Sequence, residues 1–165
     1  EVKFKKLRRL ILRKNRILLI EDNPDHADLI INALNDEEAG NGDKDVFLIK
    51  DGQDAIDYFH NNYLPENACQ AGFNSGQEYF QIELILLDIN LPKVNGMDIL
   101  KYIKKMPGYS ETPVIIMSTD SHKDTVEEAF RHGADSFMEK LVSYDKLVET
   151  LNSMKNSFTK SYALT

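Results

Sequence analysis

The chain has 165 residues, 42% of them hydrophobic and 28% charged, enough for one domain with a buried core and too few for two ordinary domains. No apolar run approaches the ~18 residues that span a bilayer. Cys69 is the only cysteine, which excludes an intrachain disulfide and makes a reducing cytoplasm the expected setting. Net charge is −7, but residues 1–16 carry eight Lys or Arg against Glu1, leaving the remainder at −14. An acidic body argues against DNA or RNA as the main partner, because that affinity depends on clustered cations neutralising phosphates.

The basic leader, residues 1–14, has Val2, Phe4, Leu7, Leu10 and Ile11 at roughly helical spacing. It reads as a short amphipathic helix packing on the domain or a partner, as a linker, or as a membrane-surface segment. Ile17 to Ile20 then forms an apolar strand that stops at Glu21-Asp22. Asn23 suits a helix cap and Pro24 a first turn, and Ala27, Ile30, Ile31 and Leu34 give helix one its apolar face. After a polar stretch with Gly40 and Gly42, Val46 to Ile49 is strand two, followed by the turn pair Asp51-Gly52. Helix two starts near Gln53 and runs through Ile56, Tyr58 and Phe59.

Residues 61–81, broken by Pro65, Gly72 and Gly76, read as a long irregular segment. Leu84 to Leu87 is strand three, Asn90 to Gly96 is turn chemistry, and Met97 to Met106 is helix three, ended by Pro107-Gly108. Val114 to Met117 is strand four, and helix four runs from Lys123 to His132 before Gly133. Ser136 to Glu139 is strand five and Tyr144 to Ser157 is helix five. Five strands alternating with five helices predict an α/β fold: a doubly wound parallel sheet in order 2-1-3-4-5, covered by helices on both faces.

In such a sheet, ligands bind beyond the carboxyl ends of the strands. The ends here are Glu21-Asp22, Asp88, Ser118 and Lys140. Three carboxylates held together repel unless a cation joins them, and a hard divalent ion such as Mg²⁺ suits an oxygen-only set. No His or Cys stands at these ends, which argues against zinc. Together with Mg²⁺ and Lys140 the cluster is near neutral, so it can admit one phosphoryl group. Asp88, alone at the end of the central strand, is the candidate nucleophile for an aspartyl phosphate, with Glu21 and Asp22 as metal holders. Ser118 and Lys140 would share the charge of the phosphoryl oxygens. Taken singly, each residue also has an ordinary reading as a helix-end acid, a turn cap, a strand end or a solvated lysine. His26, His60, His122 and His132 read as helix-face or surface residues.

The elements ILLIEDNPDHADLI, LILLDINLPKVNG, PVIIMSTD and GADSFMEK resemble those of the receiver domain of two-component response regulators, over about residues 15–158. The resemblance leaves residues 1–14 as an extension and 159–165 as a tail. It implies a flavodoxin-like domain phosphorylated on aspartate, with Mg²⁺, by a sensor histidine kinase or phosphotransfer protein. Residue by residue, it implies Glu21 and Asp22 as the acidic metal pair, Asp88 as phosphoacceptor and Asn90 as donor of a backbone carbonyl to the metal. It further implies Ser118 as the switch hydroxyl, Lys140 as the phosphoryl partner and Phe137 as the switch aromatic. Asn90 and Asp120 match positions that tune hydrolysis of the phosphoryl group.

The segment before strand three and LDINLPKVNG are most similar to single-domain receivers that partner bacterial phytochromes. That likeness implies a light-sensing kinase upstream and a homodimer through helix four, strand five and helix five. One departure is Leu141, where the family has a proline, often cis. A cis bond before leucine costs about 2.5–4 kcal/mol, so a trans peptide and a reshaped loop are expected there. Few residues follow Ser157, so output is expected through protein contacts or a domain outside this sequence. The implied role is that of a phosphorylated switch, catalysing at most its own phosphoryl transfer and dephosphorylation. A phosphatase-type hydrolase is the alternative, but Asn90 stands two residues after Asp88, where such enzymes need a second acid. A pseudo-receiver that only binds partners is disfavoured by the intact acidic cluster and Lys140.

Overall fold

The computed structural model describes residues 14–36, 44–62, 80–140 and 143–162, with side chains described up to residue 153 of the last segment. In chain order the elements are β1 (Lys14–Ile20), α1 (Pro24–Leu34), β2 (Asp45–Ile49), α2 (Gly52–Asn61), β3 (Phe80–Asp88), α3 (Gly96–Lys105), β4 (Val114–Ser118), α4 (Lys123–Arg131), β5 (Ser136–Glu139) and α5 (Tyr144–Tyr162). The strands form one parallel sheet in the order β2-β1-β3-β4-β5, as expected.

Alternation along each strand divides the core in two. Leu18, Ile20, Ile85, Leu87, Val114 and Ile116 pack on one face with Ala55 and Phe59 of α2, Ile99, Leu100 and Ile103 of α3 and Ala129 of α4. Ile17, Leu19, Leu84, Leu86, Ile115 and Met117 pack on the other with Ala27, Ile30, Ala33 and Leu34 of α1 and Leu147 and Leu151 of α5. Both faces are dry, so the strands carry unbroken apolar runs rather than alternating ones. Burying each such Ile or Leu contributes about 1.5–3 kcal/mol against chain entropy.

Local signals set the helix starts. The Asn23 side chain accepts from the backbone N–H of Asp25 and His26, with Pro24 in the first turn. Asp51 caps α2 by accepting from the Asp54 N–H, and Asn95 caps α3 by accepting from the Met97 N–H. Asp51-Gly52 is therefore a helix start rather than a free turn.

Three elements run well past the expected bounds, and β1 is one of them, starting at Lys14 rather than Ile17. β3 begins at Phe80: Phe80 to Ile82 pair with Lys14 to Arg16 beyond the continuous apolar run, where Phe80, Ile82 and Leu84 alternate with Gln81 and Glu83. A register shift between Arg16 and Ile17 separates that alternating part from the buried run. α5 continues to Tyr162, beyond Ser157. The basic leader up to Arg13, residues 63–79 and Leu141 lie outside the described residues. No helix among the described residues is long and apolar enough to cross a membrane.

Candidate functional site

Parallel register brings the strand ends to one edge of the sheet. Ile20 pairs with Leu87, so the residues that follow, Glu21 and Asp88, emerge side by side. Asp88 pairs with Met117 and Ser118 with Glu139, which sets Ser118 and Lys140 one step further along. The Lys140 N–H donates to the Ser118 carbonyl at 2.8 Å and fixes that last step.

The Lys140 ammonium bridges two buried acids, 2.6 Å from Glu21 Oε2 and 2.7 Å from Asp88 Oδ2, on a side chain only 6% exposed. Each acid's other oxygen is held by backbone: the Asn23 N–H donates to Glu21 Oε1 and the Asn90 N–H to Asp88 Oδ1, both at 3.1 Å. Burial raises the Glu21 carboxyl above its ordinary value, and Lys140 opposes the rise without cancelling it. Asp22 and Asn90 stand exposed at the rim.

Glu21, Asp22 and Asp88 each offer an oxygen within 4.8 Å of the others. Three carboxylates against one ammonium leave two negative charges, which one divalent cation cancels. The donor set is hard oxygen, so the residues fit Mg²⁺ or Mn²⁺ and not a soft metal.

Ser118 is buried, and its Oγ accepts the Asp120 N–H at 3.0 Å. The exposed Asp120 carboxylate accepts from the His122 N–H at 2.9 Å, touches the His122 ring Nδ1, and accepts the Thr125 hydroxyl at 3.1 Å. These contacts, the His122 N–H foremost, hold Asp120 below the usual carboxylate range. Phe137 is half-buried against the core layer of α2, α3 and α4, inside β5 and apart from the carboxylates. The expected residues therefore fall into an acid–lysine cluster, a hydroxyl with its loop beside it, and an aromatic one layer in.

Several contributors have no simple sequence signal. His26 Nδ1 lies 3.8 Å from Glu21 Oε1, so the helix-face reading of this histidine omits its acidic neighbour. The Asx-type link between Asp120 and His122 likewise depends on loop geometry. A Cβ on Gly96 would sit 2.0 Å from the Asp88 carbonyl oxygen, and one on Gly52 would sit 2.1 Å from the Val94 carbonyl oxygen. Both glycines let backbone close tightly around the nucleophile's loop. The Asp-Gly and Asn-Gly pairs are the only trace of this in the sequence.

Residues 17–152 match the response regulator receiver domain family, from the apolar part of β1 through β5 and including the whole strand-end cluster. The chain belongs to that family. This receiver is 30% identical over 139 residues to the protein named "Probable methanogenesis regulatory protein FilR2" of Methanothrix harundinacea, covering 84% of this chain and 80% of the relative. It spans only 21% of the regulatory protein LuxO of Vibrio campbellii, which it also matches.

Among solved structures, this receiver is similar to the phosphorylated cyanobacterial phytochrome response regulator RcpA, with TM-score 0.68 and 26% identity over 90% of this chain and 96% of the other. It is also similar to the Mn²⁺-bound form of the response regulator Rcp1, a protein of Synechocystis sp.. There the TM-score is 0.63 at 25% identity, covering 85% of this chain and 91% of the other.

Proposed function

We propose that this receiver takes a phosphoryl group on Asp88 from a sensor histidine kinase or phosphotransfer protein in the cytoplasm and switches its protein contacts in response. The observation that carries the reading is the Lys140 ammonium shared between Glu21 and Asp88, beside a third acid. The buried acid–lysine bridge with a third carboxylate at its rim keeps two negative charges in surplus, which a phosphoryl-transfer site uses to hold its cation.

An Asp88 carboxylate oxygen attacks phosphorus, the N–P bond of the donor phosphohistidine breaks, and the imidazole leaves with the electron pair. Mg²⁺, held by Glu21, Asp22, Asp88 and the Asn90 carbonyl, supplies charge neutralisation at the transferring group when bound. Lys140 keeps its place and pairs with a phosphoryl oxygen. The Ser118 hydroxyl gives up the Asp120 N–H and donates to another phosphoryl oxygen. Phe137 turns into the space so freed, and the surface of α4, β5 and α5 changes its affinity for a second copy of the chain or another partner.

Asn90 and Asp120, at the mouth of the site, set how fast water removes the group. The likeness to RcpA and Rcp1 supports a phytochrome-type kinase upstream. Chemistry beyond self-phosphorylation and dephosphorylation, and direct contact with nucleic acid, form no part of this reading.

Incubation with Mg²⁺ and a small acyl phosphate, read by intact mass, tests it. The wild type is expected to gain one phosphoryl group and Asp88→Asn none. Equal labelling of the two would refute the assignment.

A further inference from the structure

The loop from Asp88 to Gly96 is bolted to the start of α2, on the side of the sheet away from Lys140. Lys93 Nζ lies 2.6 Å from Asp51 Oδ2. The Gly52 N–H donates to the Pro92 carbonyl at 3.1 Å, and Gly52 has no room for a Cβ against Val94. Lys93 itself has φ 66°, a left-handed conformation that is unfavourable for a side chain with a Cβ and persists only where surroundings enforce it. Asp51 serves both sides of this joint, since its Oδ1 caps α2 through the Asp54 N–H while its Oδ2 takes the ammonium.

From these contacts we infer that the Asp51–Lys93 pair is a positioning device for the divalent-cation site: it holds Lys93 left-handed and so fixes where the Asn90 carbonyl stands relative to Asp88. The loop between them is short and doubly tied. Leu91 and Gly96 both donate to the Ile89 carbonyl, at 3.2 and 2.8 Å, and the Asn90 N–H is bound to Asp88 Oδ1. A turn at Lys93 released from Asp51 therefore relaxes toward ordinary φ by moving Pro92 and Leu91, the residues directly after Asn90. Lys93 is 61% exposed along its side chain, so the ion pair is of the modest kind, and its leverage comes from the backbone it constrains.

The inference rests on the reading of Asp88 and Asn90 as cation ligands, and the test separates the two. Mn²⁺ binding to the unphosphorylated protein is measured by electron paramagnetic resonance of the free ion, with no phosphodonor present. Lys93→Met removes the ammonium and keeps the bulk. Asp51→Asn keeps a capping oxygen for α2 and removes the charge. Both are expected to weaken Mn²⁺ roughly two- to fivefold, the range an exposed pair supplies. Lys93→Arg is expected to bind as wild type does. Lys93→Asn, which enters the left-handed region readily, is expected to fall between wild type and Lys93→Met.

Wild-type affinity in both Lys93→Met and Asp51→Asn would overturn the positioning role while leaving the cation site intact. Failure of the wild type to bind Mn²⁺, or undiminished binding by Asp88→Asn, would overturn the ligand reading and this inference with it. Equal losses in Lys93→Asn and Lys93→Met would also overturn it, because the backbone conformation would then carry none of the effect.

Discussion

Lys140 Nζ and Asp88 Oδ2 are 2.7 Å apart at the ends of two strands that do not pair with each other, β4 lying between them. Only the common edge of a parallel sheet brings them together. The same ammonium holds Glu21, so removing it leaves two buried carboxylates facing each other with no cation between. Lys140→Met is expected to destabilise the metal-free protein by about 3 kcal/mol at neutral pH, the usual cost of orphaning a buried charge. Urea unfolding in EDTA measures this. Adding Mg²⁺ is expected to narrow the gap to wild type, because a second cation takes over part of the neutralisation.

The pH dependence of stability is expected to reveal Glu21. Burial raises its folded-state pKa above the ordinary 4.5, so the folded protein binds that proton more tightly than the unfolded chain does. A raised pKa contributes stability that is fully present below the unfolded value and is lost as pH rises through the folded one. Glu21→Gln removes this loss. In EDTA the variant is expected to gain stability relative to wild type between acid and neutral pH, with the gain vanishing below about pH 4. Unfolding midpoints that keep a constant difference across that window would show that burial does not govern this carboxyl.

Gly96→Ala tests the tight wrap around the nucleophile. The added Cβ would meet the Asp88 carbonyl oxygen at 2.0 Å and the Ile89 Cα at 2.8 Å, both backbone atoms that cannot swing aside. The α3 start must move outward or the β3 end must bend. A loss of about 2–3 kcal/mol in stability is expected from the overpacking, with weaker Mn²⁺ binding because Asp88 moves with its own carbonyl. Thermal unfolding and metal titration of the same sample check the two effects.

What could be read in advance, and what could not, divides along sequence separation. Glu21, Asp88, Ser118 and Lys140 are visible in the sequence because buried parallel strands are continuous apolar runs, and in this fold their ends coincide whatever the loops do. Lys93 and Lys104 are not. Lys93 finds Asp51, 42 residues away, and Lys104 finds Asp135, 31 residues away, as well as the carbonyls of Ser110 and Thr112. On the sequence both look like solvated lysines, since nothing local announces an acid brought in by another loop. The start of β3 is fainter for another reason: Phe80, Ile82 and Leu84 only alternate with Gln81 and Glu83, a shorter mark than the unbroken run that follows.

Tyr109 gives an alkaline counterpart to Glu21, remote from the phosphoryl site. Its ring stacks edge-on against the buried Phe59 at 5.1 Å, and its hydroxyl donates to the Asn62 carbonyl at 3.2 Å, tying the turn after α3 to the end of α2. Burial, followed by repulsion from Tyr58, pushes the phenol from 10.0 up to about 12. The folded state therefore keeps a proton that the unfolded chain releases near pH 10, and the stability this represents is lost as pH climbs from 10 toward 12. Tyr109→Phe keeps the ring contact and cannot ionise. It is expected to cost under about 1.5 kcal/mol at neutral pH, for one half-exposed hydrogen bond. Above pH 10 it is expected to unfold less steeply than wild type. Ultraviolet titration of the phenols should show one fewer group ionising above pH 10 in the variant; an unchanged high-pH transition would mean that Tyr109 ionises like a free tyrosine.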